Sequence, residues 1–570
     1  MSASRRIAWI AALALCTLTG SAAIAERASS VPSKPDDRTI VHVLNRLGFG
    51  AAPGDIERVR RIGLQTYIDQ QLNPERIANE KMTARLADLK TLAMSTSELA
   101  TEYFAPAQMA RREAQRKQAA QDPSMSADNP PDPASRREMM TPEQAEAIRM
   151  ERQTLTDLMQ AKMLRAVYSE RQLEEVMVDF WFNHFNVFSG KGPIRVYLNE
   201  YERDTIRPHV LGKFEDLLKA TAESPAMLFY LDNWQSAAAE GAPTLDRMQS
   251  DRRFNPRNRG RFPPRMRPGA PNRPATLADV PGALNRRRGL NENYARELME
   301  LHTLGVDGGY TQKDVQEIAR AFTGWTIANP RQGGAFRFEP RMHDAGEKIV
   351  LGTKIKSGGG KSDGDQVLAL LAKHPSTARF IATKLARRFV ADDPPKALVD
   401  RAARRFLETG GSIRDVVKTI VTSDEFFAAD AYRAKVKSPF EFVASAVRST
   451  GLDLPNAMPL VQAVRTLGMP LYGCQPPTGY ADKAEAWVNS GALINRMNFA
   501  VSLTSGGARG EAMRALARRT VDRPSITSDA LIESALAGEL SATTAATVAQ
   551  AKTQPQALAL LLGSPDFQKK

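Results

Sequence analysis

Three short stretches concentrate the side chains that move protons or hold ions. "NENYARELMELHTLGVDGGYTQKDV", Asn291 to Val315, carries Asn293, Arg296, Glu297, Glu300 and His302 before glycine breaks it. "DFWFNHFNVF", Asp179 to Phe188, sets His184 beside Asn183 and among Trp181, Phe182 and Phe185. "RMHDAGEK" places His343 and Asp344 on a tight turn. An aromatic setting holds an imidazole neutral, free to accept a proton or bind a metal. Carboxylates one helical turn apart can ligate a divalent cation or share a proton.

Helical geometry divides the first stretch. At about 100° per residue, Glu297, Glu300 and Asn293 share one polar stripe, while His302 falls roughly 140° away from Glu297. His302 then reads as a helix-end residue before Gly305, where an imidazolium favours the negative end of the helix dipole. Each candidate also has a plain structural alternative. Arg296 stands four residues before Glu300 and can form a surface pair worth a few tenths of a kcal/mol. His184 suits a buried histidine satisfied by one hydrogen bond, and Asp344 is an ordinary turn former.

Familiar signatures are missing. The histidines are His42, His184, His209, His302, His343 and His374, and none forms HExxH. No GxSxG elbow occurs, and "SGGGKSDGD" lacks the spacing and strand context of a phosphate loop. Cys474, in "LYGCQPPTGY", reads as a small buried apolar residue rather than a nucleophile. A catalytic or metal centre must therefore be assembled from distant segments.

The elements that would position these groups are mainly helical. Apolar residues recur at helical spacing over about 145–167, 170–185, 376–389 and 439–451. "GAFRFEPRMHDAGEKIVLGTKI" alternates and turns as a small β-hairpin does. "TIVTSDEFF" and "LLLGSPDFQ" share an apolar helix end followed by a Ser-x-Asp/Glu-Phe-type stop. Two polar, proline-containing insertions, about 106–144 and 237–283, lack the apolar content that offsets the entropy of ordering. These features predict one large bundle-like domain over 36–505 with a small hairpin and two mobile insertions. A C-terminal helical extension over 506–570 is expected to pack on it.

The chain's 570 residues are 42% hydrophobic and 25% charged, enough for a sizeable core. The net charge of +14 is misleading, because Arg247 to Arg288 holds twelve arginines against two acids. "MSASRRIAWIAALALCTLTGSAAIAE" has a basic start, a short apolar run and an Ala-Ile-Ala cleavage site. It reads as an export signal over residues 1–25, by the general secretory rather than the twin-arginine route. Removing it leaves Cys474 alone, with no intramolecular disulfide and no membrane span. The expected location is periplasmic or extracellular.

"HVLNRLGFG", "DFWFNHFNVF", "NENYARELMELHTLGVDGGYTQKDVQEIARAFTGW", "HDAGEKIVLG", "TARFIATKLARRFV", "SDEFF" and "GCQPPTGYADKAEAWVNSGALINRMNF" together resemble the bacterial domain-of-unknown-function family DUF1800. The resemblance implies an exported, largely helical protein without an established activity. It also implies a neighbouring exported partner similar to alkaline phosphatases and sulfatases.

The leading expectation is a buried polar centre lined by His184, Glu297, Glu300, His343 and Asp344, around a divalent metal. Glu297 or His184 would handle a proton in metal-assisted hydrolysis or oxidation. Asn183, Asn293, Arg296 and His302 would support them. The rival is a non-enzymatic binding or assembly module acting with that partner. On this view the arginine-rich segment touches an anionic polysaccharide or envelope surface. Nucleic acid suits the charge but neither the export signal nor the lack of aromatic platforms.

Overall fold

Side-chain caps start several of the helices. Asp36 accepts from the Thr39 amide at 2.8 Å and opens Asp37–Leu47. Thr141 and Gln144 form a reciprocal box ahead of Pro142–Tyr168. His374 accepts from the Ser376 amide at 3.1 Å, and Pro375 then begins Pro375–Phe389. Each cap satisfies an amide that a first turn leaves unpaired.

The computed structural model describes residues 30–121, 141–248, 289–505 and 526–570. These residues are mainly helical, with two small antiparallel sheets. One continuous apolar core runs from Ile40 and Leu44 through Trp181 and Phe389 to Phe567. Among the described residues no helix is long and apolar enough to cross a membrane. The 1–25 leader lies outside the described residues.

The expected hairpin forms at the end of its stretch, and a second strand pair accompanies it. Strands β1 (Trp325–Ile327) and β2 (Phe336–Phe338) form one pair, and β3 (Lys348–Val350) and β4 (Thr353–Ile355) another. The partner of β2 lies upstream of the alternating stretch, in a strand too short to show a period. Of the insertion expected at 106–144, Ala105–Gln121 is a helix packed on Pro142–Tyr168. Its buried side chains among the described residues are the small Ala107, Ala110 and Ala114, which let two helices lie close without any large apolar signal. Residues 122–140 lie outside the described residues.

Of the insertion expected at 237–283, residues 237–248 are held against the chain around His343. Ala238 donates to the Met342 carbonyl, and Ala345 donates to that of Pro243, each at 2.8 Å. Residues 249–288, most of the arginine-rich stretch, lie outside the described residues.

The two helix-stop phrases share one construction. Ser423 and Ser564 each cap a single turn, Asp424–Phe427 and Pro565–Gln568, and each turn buries one phenylalanine, Phe426 or Phe567. In the C-terminal part, Ser490–Ser505 packs along Gln554–Leu562.

Candidate functional site

Three groups far apart in sequence meet where the Gln172–His184 helix ends. Trp181 donates its indole N–H to the Val210 carbonyl at 3.0 Å, and Phe185 stands edge-on to His184 with centroids 4.5 Å apart. These rings fix the imidazole in an apolar wall.

Opposite it, the helix Glu292–Glu297 passes into a wide π-type turn, Leu298–Thr303. The wider turn breaks the 3.6-residue period and brings His302 inward. The His302 carbonyl, of the kind a helix end leaves without a partner, accepts from His184 Nε2 at 3.1 Å. With Nε2 protonated, Nδ1 presents a lone pair, which accepts from the Lys384 amine at 2.8 Å.

His302 is therefore corrected. It is not a charged helix-end group but is buried, with its ring 5.0 Å from Phe185 and 6.2 Å from His184. Burial, reinforced by Lys384, pushes it down to about 3. Burial, then Lys384 and His302, also holds His184 well below the usual histidine value. Both rings are neutral at pH 7. Burial pushes Lys384 down to about 8, with Asp482 opposing and Arg387 reinforcing the shift.

The glutamate stripe faces elsewhere. Glu300 accepts from the Tyr310 hydroxyl at 2.6 Å and lies 3.5 Å from Arg296, which also donates to Gln312 at 2.8 Å. Asn293 is exposed. Glu297 is half-buried and raised by burial and by Glu300; its charge is felt at Tyr230, whose hydroxyl donates to the Gln475 carbonyl.

His343 and Asp344 belong to a second, closed network. His343 spans the Thr323 carbonyl at 2.8 Å and Asp363 at 3.2 Å, and Lys348 donates to Asp363 at 2.7 Å. Arg320 grips both oxygens of Asp344, at 2.8 and 3.1 Å. These groups spend their hydrogen bonds holding β3 and its flanking turn. Among the described residues no three His, Cys, Asp or Glu side chains are grouped as ligands for an ion. The five expected ligands do not fit a shared metal.

His184 instead floors a pocket of about 280 Å³ between the Pro375–Phe389 helix and the loop 478–487. Phe380, Lys384 and Arg387 follow i, i+4, i+7 spacing on that helix, while Ala378, Ile381, Ala382 and Leu385 face the core. The loop is pinned by Asn183, which donates to the Tyr480 carbonyl at 2.8 Å and accepts from its amide at 2.7 Å. Gly479, at φ +71°, lets this happen, because a Cβ there would stand 2.2 Å from the Asn183 carbonyl.

The charges in the pocket are unequally satisfied. Asp179 pairs with Lys162 at 2.8 Å and Asp482 with Lys435 at 3.1 Å. Arg388 pairs with Glu441, and Lys483 with Asp393 at 3.1 Å. Among the described residues Lys384 has no carboxylate within ion-pair distance, and Arg387 donates only to the Asp392 carbonyl, at 2.8 Å. Sequence reasoning found His184 and Asn183 but missed Lys384, Arg387, Tyr480 and Asp482. All four sit in the motifs "TARFIATKLARRFV" and "GCQPPTGYADKAEAW", where the lysine and arginines pass for a solvated helix face.

The model of a family described as a protein of unknown function, DUF1800, matches residues 42–569. No curated protein and no solved structure matches the chain.

Proposed function

The chain belongs to the DUF1800 family, and from its pocket we propose that this member binds a small anionic group on Lys384. The observation that carries this is the Lys384 amine, whose hydrogen bond goes to a neutral imidazole and which has no carboxylate partner among the described residues. A buried ammonium left in that state is costly, and an anion in the pocket relieves the cost. Arg387 adds a second positive charge, and the neutral His184 orients the lysine without cancelling its charge. Tyr480 and Asn183 hold the loop that closes the pocket. The signal-like leader supports a ligand met outside the cytoplasm.

The test is calorimetric titration and thermal unfolding with sodium sulfate and sodium acetate, comparing the chain with Lys384→Met. Sulfate stabilises many proteins by exclusion, so the difference between the two chains is the readout. Saturating anion should stabilise the unsubstituted chain by about 1–3 kcal/mol more than the variant. Equal shifts in both would sink the proposal. Binding should also weaken as pH rises through about 8, where Lys384 loses its proton.

A further inference from the structure

Lys384 sits in surroundings that suit a nucleophile as well as a charge. Its amine donates to the lone pair on His184 Nδ1 at 2.8 Å and lies 5.5 Å from the centre of the Phe380 ring. Of the charged groups around the pocket, Asp179, Asp482, Arg388 and Lys483 are taken up in ion pairs. His184 and His302 are neutral. Among the described residues no carboxylate is therefore placed to hold the proton on the amine, and burial brings its loss down to about pH 8. At pH 7 this leaves on the order of a hundredfold more free amine than an exposed lysine near 10.4 has. A desolvated amine beside a second cation and within reach of a base is the setting in which lysine attacks carbonyl groups.

Arg387 supplies the other half of the site. It lines the same pocket three residues further along the helix, and such neighbours have Cβ atoms about 5–6 Å apart. Only its Nε is engaged among the described residues, on the Asp392 carbonyl, so its terminal nitrogens offer a carboxylate a two-pronged donor. A carboxylate held there leaves a carbonyl beside it, or one carbon further, within reach of the Lys384 amine. A pocket of about 280 Å³ suits so small a molecule.

We propose that the anion is a small oxo acid, its carboxylate held by Arg387 and its carbonyl carbon joined to Lys384 Nζ as an imine. This rests on the anion-binding proposal and adds the class of ligand and its chemistry. The free amine forms a C–N bond to the carbonyl carbon as the C=O π pair moves onto oxygen. His184 Nδ1 carries a proton from the nitrogen to that oxygen. The nitrogen lone pair then closes the C=N bond, and the hydroxyl leaves with the second amine proton as water. Once protonated, the imine keeps one N–H for His184 and one positive charge beside the carboxylate, as the ammonium had.

Reductive trapping tests it. The full chain is incubated with pyruvate and sodium cyanoborohydride, and the labelled lysines are located by peptide mass spectrometry. Lys384 should be labelled at least about tenfold faster than Lys396, whose side chain is 84% exposed. Its labelling should level off above about pH 8, whereas that of Lys396 should keep rising toward about 10. Sodium sulfate should protect Lys384 and leave Lys396 unchanged. Lys384→Arg keeps a charge but forms no imine, so it should bind sulfate and lose the fast label.

Sulfate binding with no preference of pyruvate for Lys384 over Lys396 would overturn the imine and leave the anion proposal standing. Neither binding nor preference would remove both. Propanal, which has the carbonyl without the carboxylate, labelling Lys384 as fast as pyruvate would overturn the oxo acid.

Discussion

Unfolding hands His302 back to water, where its ordinary value is 6.5 rather than about 3. A base whose folded value is depressed contributes its full stability above the unfolded value and loses it as pH falls. His42, pushed down by burial and Arg46 to about 3, and His184 behave alike, so acid should weaken this fold well before its carboxylates titrate. His302→Phe keeps a ring against Phe185 and removes one of these proton acceptors, including an Nε2 with no hydrogen-bond partner among the described residues. Urea unfolding at pH 7 and pH 5 should show the variant losing roughly 2 kcal/mol less than the unsubstituted chain between them. An identical loss would mean His302 is protonated in the fold. At this scale the sequence exposes histidines readily and lysines poorly. His184 stands out by its aromatic neighbours, whereas Lys384 resembles any charge on an amphipathic helix until the fold turns it toward His184. The angular argument for His302 assumed 3.6 residues per turn, and the π-type turn over Leu298–Thr303 is what defeats it.

Between elements, the contact that shapes the site is the clamp of Asn183 on Gly479 and Tyr480. Asn183→Ala removes two hydrogen bonds and leaves the Tyr480 amide and carbonyl to find others, a loss of about 2 kcal/mol. Gly479→Ala keeps those groups but drives a methyl into the Asn183 carbonyl and forces a side chain into a left-handed conformation. Both variants should lose sulfate binding although neither removes a charge, and calorimetry beside urea unfolding would show it. Retained binding at unchanged affinity would mean the loop does not shape the pocket. Helices here were legible because their caps and apolar spacing are local, as in Thr141–Gln144 and in the 378–389 stripe. Strand β1 and the alanine-faced helix Ala105–Gln121 were not, because their signal resides in partners. A three-residue strand has no period to read, and a stripe of Ala107, Ala110 and Ala114 has no hydrophobic bulk.

Across the whole molecule, buried charge links parts of the chain that are distant in sequence. Glu441, on the helix Pro439–Thr450, meets Arg388 behind the pocket and Lys570 at the far end of the sequence. Burial would raise its carboxyl, yet Arg388 and Lys570 outweigh burial and hold it far below the ordinary 4.5. Burial also pushes Lys570 and Lys437 down to about 7, and in both Glu441 is the first charge that opposes it. Glu441→Gln keeps the shape and leaves buried cations unpaired, which should cost roughly 3–5 kcal/mol. For an acid with a depressed folded value, the stabilisation is complete above 4.5 and fades as pH falls below it. The gap between the unsubstituted chain and Glu441→Gln should therefore be widest near neutrality and narrow below pH 4.5. It should persist in 1 M salt, because a buried cluster is screened far less than a surface pair. Denaturant titrations over pH and salt check both points, and a gap that closes with salt would place the cluster in contact with solvent. A composition total showed the net charge and could not show this arrangement, since Arg388, Glu441 and Lys570 are brought together only in the folded chain.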